Sequence, residues 1–203
     1  MVKLFRYYII RKNMNKKTIN NSENERKKVL MHICCAPCSI YTLKKLREEG
    51  ADVYGYFFNP NIHPYREFKK RLVTLEDYAR ISLLPLEVDR TYDLDTFLRG
   101  ALDYGKDRCL FCYRMRLEKT FKKGVEDKAD AVTTTLLYSK YQRHDDIRNI
   151  GEELSAAYNI PFLYRDFREG WEEGVEASKA LDMYRQKYCG CIFSEKERYW
   201  RAG

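Results

Sequence analysis

Apolar positions along this chain fall alternately into short continuous runs and into stripes spaced three and four apart, the signature of strands alternating with helices. The run over 29–33 (VLMHI) reads as a buried strand, and 39 to about 49 reads as the helix after it, stopped at Gly50. A second strand is expected over 52–58 (DVYGYFF), followed by the turn-rich segment 59–64 (NPNIHP). Phe68, Leu72, Leu75, Tyr78 and Ala79 mark a helix over 65–81. The third strand, 83–88, contains Pro85, which demotes it towards a sheet edge. A short helix over 97–102 comes next, and Gly105 opens a loop that carries cysteines. A helix over 110–125 precedes a β-branched fourth strand over 131–137 (AVTTTLL). The pattern closes with a helix over 146–158, a short fifth strand over 161–164, and a last helix over 174–187.

This order predicts an α/β fold with a doubly wound, mostly parallel five-stranded sheet. One catalytic domain is expected over 29–203, preceded by a disordered basic leader over 1–28. Ligands of such sheets bind beyond the carboxyl ends of the strands. Cys34 and Cys35, the loop from Asn59, Asp89, and the segment from Tyr138 to Lys140 all follow strands and so share that rim.

Composition changes this picture in two ways. The net charge of +8 invites a nucleic-acid reading, but residues 1–28 hold nine Lys/Arg against two acidic residues, which leaves the rest near neutral. Inside the domain a basic stretch runs from Lys106 to Lys123, and it surrounds Cys109 and Cys112. No eighteen-residue apolar stretch is present, and Arg6 interrupts the opening apolar run, so neither a membrane span nor a signal peptide is expected. Cytoplasmic residence follows, and there the seven cysteines are not a disulfide framework.

The cysteines form three groups: Cys34, Cys35 and Cys38; Cys109 and Cys112; Cys189 and Cys191. Helix N-termini and nearby cations favour thiolates, which ligate soft metals. C-x-x-C spacing turns both sulfurs to one side, and Gly190 permits the tight backbone of C-G-C. Seven thiols exceed one tetrahedral zinc and suit an iron–sulfur cluster with thiols left for a second metal. For any single cysteine, plain burial is the competing explanation; three motif-like groups argue against it. His32 is expected to be a satisfied core histidine rather than a ligand. Asp107 is a candidate ligand or proton donor, with a helix-cap role as its competitor. Tyrosines near the rim, Tyr138, Tyr141 and Tyr188, are candidates to stack on a base, against ordinary packing.

Several motifs carry a resemblance. H-x-C-C-A-P-C at 32–38, F-N-P-N-I-x-P at 58–64, R-C-x-x-C at 108–112, T-T-T-L-L-Y-S-K-Y-Q at 133–142 and Q-K-Y-C-G-C-I-F-S at 186–194 are similar to those of QueH-type epoxyqueuosine reductases. The resemblance runs from about Val29 to the end of the chain. It implies a fold like that of the adenine-nucleotide α-hydrolase (HUP) group and reduction of the epoxide of epoxyqueuosine, at the wobble position of tRNA, to the alkene of queuosine. It implies a [4Fe–4S] cluster with an adjacent mononuclear iron, fed by an electron donor that the sequence does not identify. Cys34, Cys35, Cys38, Cys109, Cys112, Cys189 and Cys191, with Asp107, are the expected metal ligands. Asp107 and Tyr138 are the expected proton donors, and Lys106, Arg108, Arg114 and Arg116 the expected contacts to anticodon phosphates. A monomer is expected.

Three other readings compete. A zinc-stabilised RNA-binding module would need no redox chemistry. A tRNA thiolase of similar fold would need a glycine-rich phosphate loop where C-C-A-P-C stands. A thiol–disulfide oxidoreductase using Cys35 and Cys38 leaves the other cysteines without a role.

Overall fold

The computed structural model describes residues 26–200, so all but the last three positions of the expected basic leader lie outside the described residues. Four parallel strands form one sheet in the order β3-β2-β1-β4. They are β1 (Lys28–His32), β2 (Asp52–Phe57), β3 (Leu86–Val88) and β4 (Ala131–Thr134). β1 is central: Leu30 pairs with Tyr54 on one side and with Val132 on the other. Being covered on both sides, it is a continuous apolar run rather than an alternating one, with Leu30 and Met31 fully buried. β3, which follows Pro85, lies at the sheet edge as expected.

The helices are α1 (Ala36–Glu48), α2 (Tyr65–Ser82), α3 (Leu94–Asp103), α4 (Arg108–Glu126), α5 (His144–Tyr158), α6 (Trp171–Ala180) and α7 (Ile192–Tyr199). α1 packs on α2 and α6, whereas α4 packs on α3 and α5. The chain winds β1 to β2 to β3 in one direction and then returns to the far side of β1 for β4. Right-handed crossovers therefore put α1 and α4 on opposite faces, and the reversal opens a crevice at the carboxyl ends of β1 and β4.

Four expectations are corrected. The fifth strand is absent among the described residues. Phe162 makes only an isolated bridge to Val132, because Pro161 has no N–H and the Tyr164 N–H turns back to the Phe162 carbonyl. β4 ends at Thr134 rather than 137, since the Thr134 hydroxyl accepts the Leu136 N–H and starts a 3₁₀ turn over Thr135–Tyr138. The last helix stops at Ala180; Asp182 adopts a left-handed φ of 52°, and a separate helix, α7, begins only after C-G-C. Finally, Cys109 lies in the first turn of α4 and not in a preceding loop.

Candidate metal centre

At the crevice, β1 runs into α1 through Cys34 and Cys35. Cys35 holds the extended conformation that precedes the helix, and Pro37 fits the first turn, where no intrahelical N–H is needed. Cys38 lies one turn on, so three sulfurs gather at the positive end of α1. All three Sγ atoms lie within 4.8 Å of one another, and those of Cys34 and Cys35 are 3.8 Å apart.

Side chains from distant elements hold this trio. The Thr135 hydroxyl accepts the Cys34 N–H at 3.0 Å and donates to Cys34 Sγ at 3.3 Å. Gln186 Nε2 donates to Cys35 Sγ at 2.9 Å and approaches Cys38 Sγ at 3.8 Å. Hydrogen bonds from Cys35 and Cys38 hold the Cys34 thiol well below its ordinary value. Burial, then the neighbouring Cys34, pushes Cys35 up; bonding to Cys34 and Cys35 does the same to Cys38. Beneath the trio, His32 is fully buried, with Nδ1 2.9 Å from the Thr134 hydroxyl and Nε2 3.2 Å from the Phe58 carbonyl. Its role is the core one expected, with the ring kept neutral by burial.

The other four cysteines form a second group. Cys109 and Cys112 share one face of the first turn of α4. Cys189 and Cys191 flank Gly190, whose φ is 146°, a conformation that L side chains rarely adopt. Burial pushes Cys112 up to about 12 and also raises Cys109; in both, the charges of Cys189 and Cys191 add to the rise. The four therefore lie within one another's electrostatic reach. Arg71, buried on α2, fixes the C-G-C segment: it donates to the carbonyls of Cys189 at 2.8 Å and Tyr188 at 3.1 Å, and to Glu67 at 2.7 Å. The Tyr184 hydroxyl donates to the second Glu67 oxygen, and Gln142 Nε2 reaches Cys189 Sγ at 3.5 Å.

The remaining site candidates are placed as follows. Arg116 does not present its guanidinium to solvent: it is 2% exposed, and its Nε donates to the Cys112 carbonyl at 3.1 Å. The expectation of a phosphate contact there is corrected, because the helix stripe containing Cys112, Arg116 and Thr120 faces inward. Burial alone would depress Arg116, but Cys112, Cys189 and Cys34 hold it charged. Tyr138 is also buried, with its hydroxyl proton donated to the Trp171 carbonyl at 2.9 Å and its pKa raised by burial. Asp107 is exposed, 3.5 Å from Arg143, and lies outside the converging trio. Arg108 pairs with Glu197, Arg114 with Glu153, and Lys106 is exposed. Sequence reasoning missed Arg71, Thr135, Gln142 and Gln186. The two glutamines and Thr135 stood inside the quoted motifs, whereas Arg71 with Glu67 looks like any i,i+4 surface pair.

The donor set fits an iron–sulfur cluster. Sulfur is its natural ligand, three thiols already converge, and Arg116 Nη2 is buried without a partner, which suits an anionic group nearby.

The family profile described as "Epoxyqueuosine reductase QueH" matches residues 29–197. Relatives carrying that name include one from Dehalococcoides mccartyi, 33% identical over 172 residues (85% of this chain, 94% of the relative). Another, from Thermotoga maritima, is 35% identical over 179 residues (84% of this chain, 91% of the relative). Among solved structures, the U34-tRNA thiolase NcsA from Methanococcus maripaludis with its [4Fe-4S] cluster aligns with a TM-score of 0.55. Its identity is 15%, covering 95% of this chain and 68% of that one. A predicted subunit of tRNA methyltransferase from Methanocaldococcus jannaschii aligns with a TM-score of 0.54 at 14% identity, covering 75% and 74%. At such identities these two support the fold alone.

Proposed function

The chain belongs to the epoxyqueuosine reductase QueH family, and from that premise we propose that it reduces the epoxide of epoxyqueuosine in tRNA to queuosine. The reaction takes two electrons and two protons, breaks both carbon–oxygen bonds of the epoxide, and releases water. The observation that carries this reading is the convergence of Cys34, Cys35 and Cys38 at the sheet crevice. Nothing in the geometry favours a module without redox activity.

The trio and the second cysteine group would share a [4Fe–4S] cluster and an adjacent mononuclear iron, with Cys34, Cys35, Cys109, Cys112, Cys189 and Cys191 as cluster candidates. When bound, the cluster would supply electrons one at a time from an electron donor. The chain's own residues do the rest. Gln186 and Thr135 orient sulfur, and Gln142 joins Cys189 to the rim. Asp107, at the surface near Cys109, would bring protons in from solvent and is the further candidate ligand of the second iron. Lys106, Arg108 and Arg114 would meet anticodon phosphates: Lys106 is exposed, and the surface ion pairs of Arg108 with Glu197 and Arg114 with Glu153 are weak enough to exchange. Beside Gln142, the 77%-exposed Tyr141 lies edge-on to Trp171, with Lys140 Nζ 5.0 Å from the Trp171 ring. That platform is suited to stacking a loop base. A cytoplasmic setting fits the tRNA substrate and the unpaired thiols.

The test is anaerobic purification followed by incubation with epoxyqueuosine-containing tRNA and a strong reductant, read by mass analysis of the nucleoside. The expected outcome is a brown protein with acid-labile sulfide and loss of one oxygen mass from the nucleoside. A colourless zinc protein, or an intact cluster with the epoxide untouched, refutes the assignment.

A further inference from the structure

Two arginines are buried to 2% exposure among the cysteines, and their surroundings differ. Arg71 also feels Cys35 and Cys189, but it is paired with Glu67 and spends its remaining donors on backbone carbonyls. The Arg116 side chain makes one hydrogen bond, from Nε to the Cys112 carbonyl, and its buried Nη2 has no partner. Among the described residues no carboxylate pairs with it. An uncompensated buried charge costs several kcal/mol, so a chain that keeps one there must offset it with something anionic. The groups within its electrostatic reach are the sulfurs of Cys112 and Cys189 in one cysteine group, that of Cys34 in the other, and Tyr113, whose neutral ring lies 5.8 Å from the guanidinium.

We propose that Arg116 is the fixed countercharge between the two cysteine groups, a positioning residue that favours the reduced, more negative state of the metal–thiolate centre. The inference rests on the iron–sulfur reading of the site. A guanidinium stays protonated throughout, so its charge does not change with turnover or pH. In a low-dielectric interior a nearby positive charge stabilises an added electron, and charge placement is one of the levers that set cluster potentials. A side chain that served packing alone would act through shape and not through charge.

The experiment is a redox titration of the full-length, anaerobically loaded protein, followed by the visible and paramagnetic signals of the cluster, with iron and sulfide measured beforehand. Wild type is compared with Arg116→Gln and Arg116→Lys. In Arg116→Gln the oxidised-to-reduced ratio at the wild-type midpoint should rise about tenfold, a downward shift of about 59 mV for a one-electron couple. Arg116→Lys, which keeps the charge, should stay within roughly threefold of wild type. A Gln variant with an unchanged midpoint, or a Lys variant shifted as far as Gln, overturns the proposal. If Arg116→Gln takes up no cluster, Arg116→Lys decides: a loaded cluster supports the charge, and loss of loading overturns it. The readout needs no RNA. A loaded wild-type protein that leaves the epoxide intact therefore sinks the reductase reading, whereas an unmoved potential with reduction intact sinks only the role of Arg116.

Discussion

Cys34, Cys35 and Cys38 meet within five consecutive positions at a strand–helix junction, so the backbone of β1 and α1 brings their sulfurs within 4.8 Å and Thr135 and Gln186 only hold them there. Cys109 and Cys112 come within electrostatic reach of Cys189 and Cys191 through tertiary contacts: Gln142, which accepts from Tyr113 of α4, reaches Cys189, while Arg71 anchors the C-G-C loop to α2. The first group is preorganised by local structure at the sheet crevice; the second is assembled by tertiary contacts across more than seventy positions. Damage to the tertiary contacts should therefore separate the two groups.

The largest effect is expected from Arg71→Met. It removes both carbonyl anchors of the loop and strands Glu67 in the interior, costing about 3–5 kcal/mol. In the metal-free protein, mass mapping of alkylated thiols should show Cys189 and Cys191 more reactive while Cys38 stays protected. Equal loss of protection in both groups would break the comparison.

How far the sequence foretold this centre follows the same division. The trio was legible because its cysteines are adjacent and sit where a strand gives way to a helix. Gly190 was legible from its type. Arg116 was not, because a basic residue within a basic stretch carries no mark of facing inward, and only the stripe it shares with Cys112 and Thr120 reveals it. The segment 135–137 departs from the expected strand for a related reason: the β-branched run before it favours a strand, yet the Thr134 hydroxyl ends that strand by capping the next turn. Asp182 gave no warning of its left-handed turn, so the helix before C-G-C was drawn too long.

Next in size is Gly190→Ala. A Cβ there meets Asn61 Nδ2 at 3.1 Å and Arg71 Nη1 at 3.3 Å on a backbone of φ 146°, and a cost of about 1–3 kcal/mol is expected from denaturant unfolding. Thr134→Val acts on the opposite group. It removes the cap of the turn and the partner of His32, for about 1–2 kcal/mol, and should loosen Cys34 while leaving Cys189 as it was. Tyr141→Ala should move stability by less than about 0.5 kcal/mol. Its effect belongs to RNA: titration with an anticodon stem-loop should lose about 1–3 kcal/mol of binding. Unchanged affinity would remove the platform from the RNA surface.

The bond from Cys34 to Thr135 spans 101 positions, and that from Cys35 to Gln186 spans 151. On a growing chain the first thiols emerge long before the residues that shield them. At about 5–20 residues per second, the wait for Thr135 alone is roughly five to twenty seconds. Throughout that interval three neighbouring thiols stand open to oxidants, and a wrong disulfide among them would close the crevice before it existed. Metal-free protein refolded in air without a reductant should accumulate a misoxidised fraction that anaerobic refolding prevents, read by mass analysis of alkylated thiols.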